Sequence, residues 1–357
     1  MKVYMDYSAT TPVKKEVLDT MIPYFTEQYG NPSSIYQMGQ ASKKAIDAAR
    51  DQVANTLNAR QDEIYFTGGG SEADNWAIKG TAYALKHKGN HIITSAIEHH
   101  AVLHTCEYLE KQGFEVTYLP VDSEGLIQIE DLRNAIKNTT ILISIMYANN
   151  EIGTIQPIED IGKIAREKGI LFHTDAVQAY GHIVIDTQAL PVDMISVSAH
   201  KLYGPKGIGA LYMRKGVKIH NLIHGGGQEK RRRAGTENIA GIVGFGKAAE
   251  LAYSDIEGHN KKLTDFRNQL TERLMEAIPY TRLNGHKDKR LCNNVNLSFQ
   301  YIEGEGILLG LDMAGISASS GSACTSGSLD PSHVLLGIGL NHETAHGSLR
   351  LTLGDMT

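Results

Sequence analysis

Two apolar segments typical of buried strands each end on a charged residue. Residues 170–174 are followed by Asp175, and residues 192–199 are followed by His200 and Lys201. Ligands of an open parallel sheet bind beyond the carboxyl ends of the strands, so we expect Asp175 and Lys201 to meet there. A lysine that forms a Schiff base and an acid that keeps a pyridine nitrogen protonated are what pyridoxal phosphate most needs from a protein. The pair therefore predicts a pyridoxal phosphate enzyme.

The segments after these two residues support the same interpretation. Lys201 precedes a glycine-rich turn, where the backbone can approach a ligand closely. Lys206 lies inside that turn and is interpreted as a surface residue. Asp175 could instead cap a turn. If it binds a cofactor ring, Gln178 three residues later could donate to the ring oxygen.

A glycine-rich segment is a candidate phosphate site. Residues 67–71, with the sequence TGGGS, join a predicted strand to a predicted helix, so backbone amides and a helix N-terminus would point at an anion. A tight turn with Ser71 as the N-cap is the alternative. Ser198 and His200 could supply further phosphate donors, or could simply make ordinary hydrogen bonds at a strand end.

A histidine pair follows Glu98 at a strand-to-helix corner. Adjacent histidines point in different directions and do not have the spacing of a zinc-binding helix, so no metal site is expected. His99 could lie flat over an aromatic ring, or could be a capping or exposed histidine.

Cys324 differs from the other two cysteines. It lies among small polar residues, 319–328, that cannot pack into a core, so we expect an accessible nucleophile and a mobile segment over residues 320–330. Cys106 and Cys292 are interpreted as buried thiols, because an odd number of widely spaced cysteines excludes a disulfide framework.

An arginine near the end of the sequence is a candidate carboxylate ligand. Arg350 lies in the strand-like segment SLRLTL, where it alternates with leucines and is expected to point outward. Its guanidinium could fork onto a carboxylate. A surface arginine is the alternative.

The elements that must position these residues alternate between strand and helix patterns. Such alternation from residue 64 to about 215 predicts a mainly parallel α/β sheet between helices. After residue 254 a long amphipathic helix and further strands predict a smaller α+β domain. We assign residues 15–254 to the large domain, and residues 1–14 with 255–357 to the small one. The predicted strands are 64–67, 91–95, 115–119, 141–147, 170–174, 194–198 and 210–214, and the main helices are 71–87, 99–112 and 158–168.

Composition excludes several classes of function. The formal charge is −5 with both signs interspersed, which gives no broad basic face for nucleic acid. The first residues lack the apolar core of a secretion signal, and no segment approaches eighteen consecutive apolar residues. We therefore expect a cytoplasmic enzyme that acts on a small molecule, without membrane or nucleic-acid partners.

In combination, these segments resemble the group I cysteine desulfurases of the NifS/IscS type, which are fold-type I pyridoxal phosphate enzymes related to class V aminotransferases. The resemblance extends from YMDYSATTP and GNPSS to SAHKLYGPKG, GSACTSGS and GSLRLTLG. It implies conversion of L-cysteine to L-alanine with transfer of sulfur to an enzyme cysteine. It also implies a homodimer and a protein that accepts the sulfur, such as an iron-sulfur scaffold.

The resemblance also implies roles for individual residues. Lys201 is the Schiff-base lysine, Cys324 the sulfur acceptor and Arg350 the ligand of the substrate carboxylate. The implied ligands of the cofactor phosphate are Gly70, Ser71 and Thr236, with Thr236 reaching across from the other subunit, and Ser198 and His200 remain candidates from their position. The implied ligands around the ring are His99, Asn149, Asp175 and Gln178, with Asn149 also a contact to substrate.

Two other functions remain open from the sequence. A class V aminotransferase or selenocysteine lyase would use the same cofactor without an obligatory persulfide on Cys324. A sulfur-carrier or iron-sulfur scaffold that binds metal through Cys324 and nearby histidines belongs to a different class, and only one cysteine is well placed for it.

Overall fold

The structure is a computed structural model that describes residues 2–320 and 331–357. Strands and helices largely alternate from residue 64 to about 215, as the sequence predicts. The strands are β1 (Val3–Tyr4), β2 (Ile64–Thr67), β3 (His91–Ser95), β4 (Glu115–Leu119), β5 (Thr140–Ser144), β6 (Leu171–Asp175), β7 (Met194–Ser198), β8 (Gly209–Met213), β9 (Gly227–Gln228), β10 (Arg233–Ala234), β11 (Thr281–Leu283), β12 (Asn294–Phe299), β13 (Ile316–Ser317) and β14 (Ser348–Thr352). The helices are α1 (Lys15–Met21), α2 (Pro23–Thr26), α3 (Gln37–Thr56), α4 (Gly70–Leu85), α5 (His100–Glu110), α6 (Ile129–Ala135), α7 (Ile158–Lys168), α8 (Ile239–Ser254), α9 (Ile256–Ala277), α10 (Gly304–Met313), α11 (His333–Gly337) and α12 (His342–His346).

The seven predicted strands form one sheet with the order β2-β8-β7-β6-β5-β3-β4. The central pairs are parallel, whereas β8 runs antiparallel to both of its neighbours. The predicted seven-stranded, mainly parallel sheet is therefore confirmed. Helices cover both faces, which is why β3, β5, β7 and β8 are buried along their whole length.

The predicted boundaries differ from the observed ones by a few residues. The predicted strand 141–147 ends at Ser144, although Tyr147 N still donates to the carbonyl of Asp175 at 2.8 Å. Helix α7 has its predicted bounds, because Gly169 follows it in a left-handed conformation that stops the helix.

Each face of the large sheet has its own apolar layer. Alternation along β6 sends Phe172 towards α7 and α8, and sends Leu171 towards α4 and α5. Asp175 lies on the same face as Leu171, so its carboxyl group points towards α4.

A second sheet carries the arginine strand. Strands β11, β12 and β14 pair in antiparallel order, and their apolar side chains pack against Leu263 of α9. Strand β1 pairs in parallel with β13, and Asp6 bridges to Thr352. The N-terminal segment thus packs with the C-terminal elements, as expected, and the domain bounds themselves stay a prediction. Within the described part of the chain, every helix is too short or too polar to cross a bilayer.

Candidate active site

The predicted site residues converge on a cavity of about 280 Å³ beyond the carboxyl ends of β6 and β7. The N-terminal segment closes one side of it through Ser8 and Ala9. A larger, more open cavity of about 520 Å³ near Lys79 and His220 contains none of the predicted residues. The predicted residues that line the smaller cavity are Gly70, Ser71, His99, Asp175, Gln178, Ser198, His200, Lys201 and Arg350.

Lys201 reaches the cavity from the single helical turn after β7. Its Nζ donates to the carbonyl of Ser8 and, at 2.8 Å, to the carbonyl of Ala9. Gln178 donates to the same Ser8 carbonyl at 3.0 Å. Backbone oxygens of the N-terminal segment therefore hold the lysine against the wall of the cavity.

Asp175 is the last residue of β6 and is 7% exposed. Its Oδ1 accepts a hydrogen bond from Val177 N at 2.9 Å. Burial raises the pKa of Asp175 to about 6, against the opposing effects of the Val177 amide and the charge of Lys201. A cationic partner inside the cavity would favour the ionised carboxylate.

The glycine-rich segment supplies a helix N-terminus, as predicted. Gly69 is the N-cap of α4 with φ of 148°, and Gly70 begins the helix. A Cβ atom at Gly70 would lie 2.6 Å from Cγ2 of Val177, so only glycine fits without moving that side chain. Ser71 and Ser198 border the same space, which gives a cradle of amides and hydroxyls suited to a phosphate.

The two histidines of the cavity are both neutral near pH 7. Burial, followed by the charge of Lys201, lowers the pKa of His99 and of His200 to about 4. Nδ1 of His99 accepts a hydrogen bond from Ala101 N at 3.1 Å, so the single ring proton is assigned to Nε2. His99 caps α5, as one of the two sequence interpretations expected, and its ring still lines the cavity.

Arg350 does not point outward to solvent, contrary to the sequence expectation. The side chain is 2% exposed. At this position β14 pairs with β12 on one edge and with Ser319 on the other, and Asp6 bridges to Thr352 two residues later. Nη2 lies 2.9 Å from Oδ1 of Asp6, and Nη1 donates to the carbonyl of Asn150 at 3.2 Å. Nε is buried without a hydrogen-bond partner among the described residues.

Asn149 does not line the cavity, whereas the next residue does. Its amide donates to the carbonyl of Ile97 at 2.9 Å and accepts from the backbone N–H groups of Glu151 and Ile152. Asn150 borders the cavity in its place. The contact predicted for Asn149 stays a prediction, and the placement favours Asn150 for it.

Two further predicted residues lie elsewhere. Thr236 is exposed and borders a separate small cavity beside Arg233. Cys324, together with most of the segment 320–330 for which mobility is expected, lies outside the described residues.

Sequence reasoning missed two buried acids around the cavity. Asp74 lines it, three residues after Ser71 on the same face of α4, and this spacing was the available signal. Glu98 is fully buried and accepts from Ser95 Oγ and Met146 N at 2.7 and 2.9 Å. Burial raises the pKa of Glu98 to about 8.

The donor set fits pyridoxal phosphate. A lysine, a buried carboxylate and a glycine-and-hydroxyl cradle match the aldehyde, the ring nitrogen and the phosphate of that cofactor. Among the described residues, no group of three histidine, cysteine or acidic side chains is arranged to hold a metal ion.

Comparisons with known proteins give related sequences and structures. The aminotransferase class-V family matches residues 3–355. Cysteine desulfurase IscS of Clostridium botulinum (strain Hall) is 63% identical over 355 residues, which cover 99% of this chain and 89% of that protein. Cysteine desulfurase IscS of Methanosarcina thermophila is 63% identical over 354 residues, which cover 99% and 87%.

Two solved structures have the same fold. A NifS-like protein has a TM-score of 0.93 at 40% identity, with 99% of this chain and 94% of that chain covered. A structure of SspA in complex with cysteine has a TM-score of 0.89 at 41% identity, with 99% of each chain covered.

Proposed function

Because the chain belongs to the aminotransferase class-V family, in its cysteine desulfurase branch, we propose that its cavity binds pyridoxal 5'-phosphate and L-cysteine. The enzyme converts L-cysteine to L-alanine and transfers the sulfur to an enzyme cysteine. The cofactor assignment rests on the observation that Lys201 and Asp175 line the same cavity.

The lining of the cavity supports the proposed cofactor ligands. Lys201 would bind the aldehyde, Asp175 would pair with the ring nitrogen and Gln178 would contact the ring oxygen. The phosphate is held by the cradle of Gly70, Ser71, Ser198 and His200. Bound in this way, pyridoxal phosphate supplies an electron sink for the charge left on Cα of the substrate.

The protein groups then bind the substrate and move its protons. Arg350 binds the carboxylate of cysteine through its fork of N–H donors. Once the amino group of cysteine has displaced Lys201 from the aldehyde, the free Nζ would take the proton from Cα, and the neutral ring of His99 holds a further exchangeable proton on Nε2. These groups lie around one cavity, so that the substrate remains in place during proton transfer.

Cys324 completes the reaction as the sulfur acceptor. Its thiolate attacks the sulfur of the bound cysteine, an S–S bond forms, the Cβ–S bond breaks, and protonation of the carbon skeleton gives alanine. The two described cysteines are unsuited to this role, because burial raises the pKa of the Cys292 thiol to about 12 and that of the Cys106 thiol further.

The wider setting of the reaction is also part of the proposal. Thr236 is exposed and does not line the cavity of its own chain, which supports a homodimer in which it reaches the partner's phosphate site. The persulfide passes its sulfur to an acceptor protein such as an iron-sulfur scaffold. We place the enzyme in the cytoplasm.

A visible spectrum before and after addition of L-cysteine tests cofactor and substrate together. Lys201→Ala should abolish the absorbance of the bound cofactor, whereas Lys206→Ala in the adjoining turn should retain it. Cys324→Ala should retain that absorbance and lose sulfide release, with Cys292→Ala as the matched control. Undiminished sulfide release by Cys324→Ala would rule out the persulfide route and favour an aminotransferase.

A further inference from the structure

Four polar side chains lie buried between the large sheet and α4. Ser144, His173 and Ser196 come from the neighbouring strands β5, β6 and β7, and Asp74 comes from α4. Each is at most 1% exposed. The layer around them is apolar and includes Trp76. Burial of this many polar groups in an apolar layer is costly unless they satisfy one another.

His173 lies at the centre of these four side chains, which we call the row. Nδ1 lies 2.8 Å from Oγ of Ser144, and Nε2 lies 2.9 Å from Oγ of Ser196. Burial lowers the pKa of His173 to about 3, so the ring is neutral and carries one proton. Nε2 is also 3.6 Å from Oδ1 of Asp74, a buried oxygen with no hydrogen-bond partner among the described residues.

Asp74 faces the same cavity as Asp175. Ser196 is the register partner of Asp175 on β7, which places the row directly beside that carboxyl group. Burial, followed by the charge of Asp175, raises the pKa of Asp74 well above its usual range. Lys201 and Arg350 are the cations that line this cavity. Lys201 donates to the carbonyls of Ser8 and Ala9, Arg350 is paired with Asp6, and His173 next to Asp74 is neutral. Two ionised carboxylates at this end would therefore repel each other with little compensation.

We propose that Asp74 is a positioning residue that stands as a neutral carboxylic acid and keeps the negative charge of this end of the cavity on Asp175. The inference rests on the proposed function, in which Asp175 pairs with the ring nitrogen of the cofactor. The hydroxyl of Ser196 hydrogen-bonds both Nε2 of His173, at 2.9 Å, and the carboxyl group of Asp74. A neutral Asp74 that donates to Ser196 leaves the hydroxyl to donate to Nε2, so that the proton of the ring lies on Nδ1 and is donated to Ser144. An ionised Asp74 accepts from Ser196, which then accepts from Nε2, so that the proton of the ring lies on Nε2.

The tautomer of His173 is therefore the first measurement. Nitrogen-15 NMR of the full chain, labelled in its histidine rings, should show His173 protonated on Nδ1, and a proton on Nε2 would overturn the proposal. Assignment uses the signal lost in His173→Gln. His91 is a matched control, because it lies between the hydroxyls of Thr140 and Thr117 at 2.7 and 2.8 Å and should be unaffected by Asp74→Asn.

Cofactor affinity is the second measurement. Apoprotein is titrated with pyridoxal phosphate, and binding is followed by absorbance. Asp74→Asn replaces a neutral acid by a neutral amide and should change the dissociation constant by no more than about threefold. Asp175→Asn removes a charged hydrogen-bond acceptor and should weaken binding about tenfold to hundredfold. Equal weakening in the two variants would contradict a neutral Asp74.

The two measurements separate the proposals from each other. If the unsubstituted apoprotein takes up no pyridoxal phosphate, the proposed function fails, while the His173 tautomer still decides the state of Asp74. If Asp74→Asn does not fold, the tautomer in the unsubstituted chain remains decisive.

Discussion

Nη2 of Arg350 lies 2.9 Å from the carboxylate of Asp6, although the two residues are 344 positions apart in the sequence. The residue predicted to bind the carboxylate of the substrate thus already binds one from its own chain. Its Nη1 is engaged with a backbone carbonyl, and its buried Nε is the donor that has no partner among the described residues. A substrate carboxylate would therefore meet a guanidinium that is already fixed in position.

We predict that Arg350→Lys raises KM for L-cysteine by about tenfold to hundredfold, because lysine cannot present two parallel N–H donors. Steady-state sulfide release measures this. An unchanged KM would show that the carboxylate of cysteine is bound elsewhere.

The same ion pair should also contribute to stability. Asp6→Asn leaves the buried guanidinium without its charged partner and should lower the free energy of unfolding by up to about 3–5 kcal/mol. Glu159→Gln is the matched control, because it breaks an exposed, solvent-screened pair with Lys163 that contributes little to stability. Chemical denaturation compares the two, and similar losses would contradict the prediction.

Substitution of the neighbouring asparagines should affect different properties, stability for Asn149 and activity for Asn150. Asn149→Ala leaves a buried carbonyl and two buried N–H groups without partners, at about 1–3 kcal/mol each, so it should destabilise the fold. Asn150→Ala removes a side chain that lines the cavity and should lower kcat/KM about tenfold or more with little change in stability. Denaturation curves and kinetics on both variants distinguish the roles. A greater loss of kcat/KM in Asn149→Ala would restore the original prediction.

Glu98 should make the apoprotein less stable as the pH rises above 7. Its pKa is about 8 in the folded protein because it is buried, against about 4.3 for an unperturbed glutamate. Between these two pKa values the unfolded chain has lost the proton of Glu98 and the folded chain retains it. The contribution of Glu98 to the free energy of unfolding is therefore greatest at low pH and falls as the pH rises towards 8. The buried histidines His99 and His200, whose pKa values are lowered to about 4, act in the opposite direction only below about pH 6.5.

The slope from this one group approaches about 1.4 kcal/mol per pH unit. Glu98→Gln should remove it between pH 7 and 8, whereas Glu107→Gln on the exposed side of α5 should not. Chemical denaturation of the apoproteins at several pH values provides the test. Parallel pH profiles for Glu98→Gln and the unsubstituted chain would show that Glu98 is ionised in the folded state.

Mixed dimers test the predicted reach of Thr236. Thr236→Asp places a negative charge against the phosphate and should lower cofactor affinity about tenfold or more. In a dimer that pairs a Thr236→Asp subunit with a Lys201→Ala subunit, one of the two sites then has all of its native residues. About half of the native activity should return. No recovery would place Thr236 in the site of its own chain.

The sequence was informative where the alternation of strands and helices determines which edge of the sheet a residue occupies. Asp175 and Lys201 could be placed at one sheet edge because parallel strands bring their carboxyl ends together. The burial of Arg350 could not be predicted, since its partner Asp6 lies at the opposite end of the sequence. The choice between Asn149 and Asn150 depends on the turn that follows β5, which sequence periodicity does not define. The role of Cys324 stays a prediction, because that residue lies outside the described part of the chain.

The pairing of the N-terminal segment has a consequence for biosynthesis. The amide of Ser8 donates to the side chain of Thr352 at 2.9 Å, and its carbonyl accepts from Lys201. Strand β1 finds its partner only at β13. A nascent chain can therefore assemble the large sheet while it is still attached to the ribosome, but residues 3–8 cannot make these contacts until β13 and β14 have been synthesised. We expect vitamin B6 to be captured after translation rather than during it.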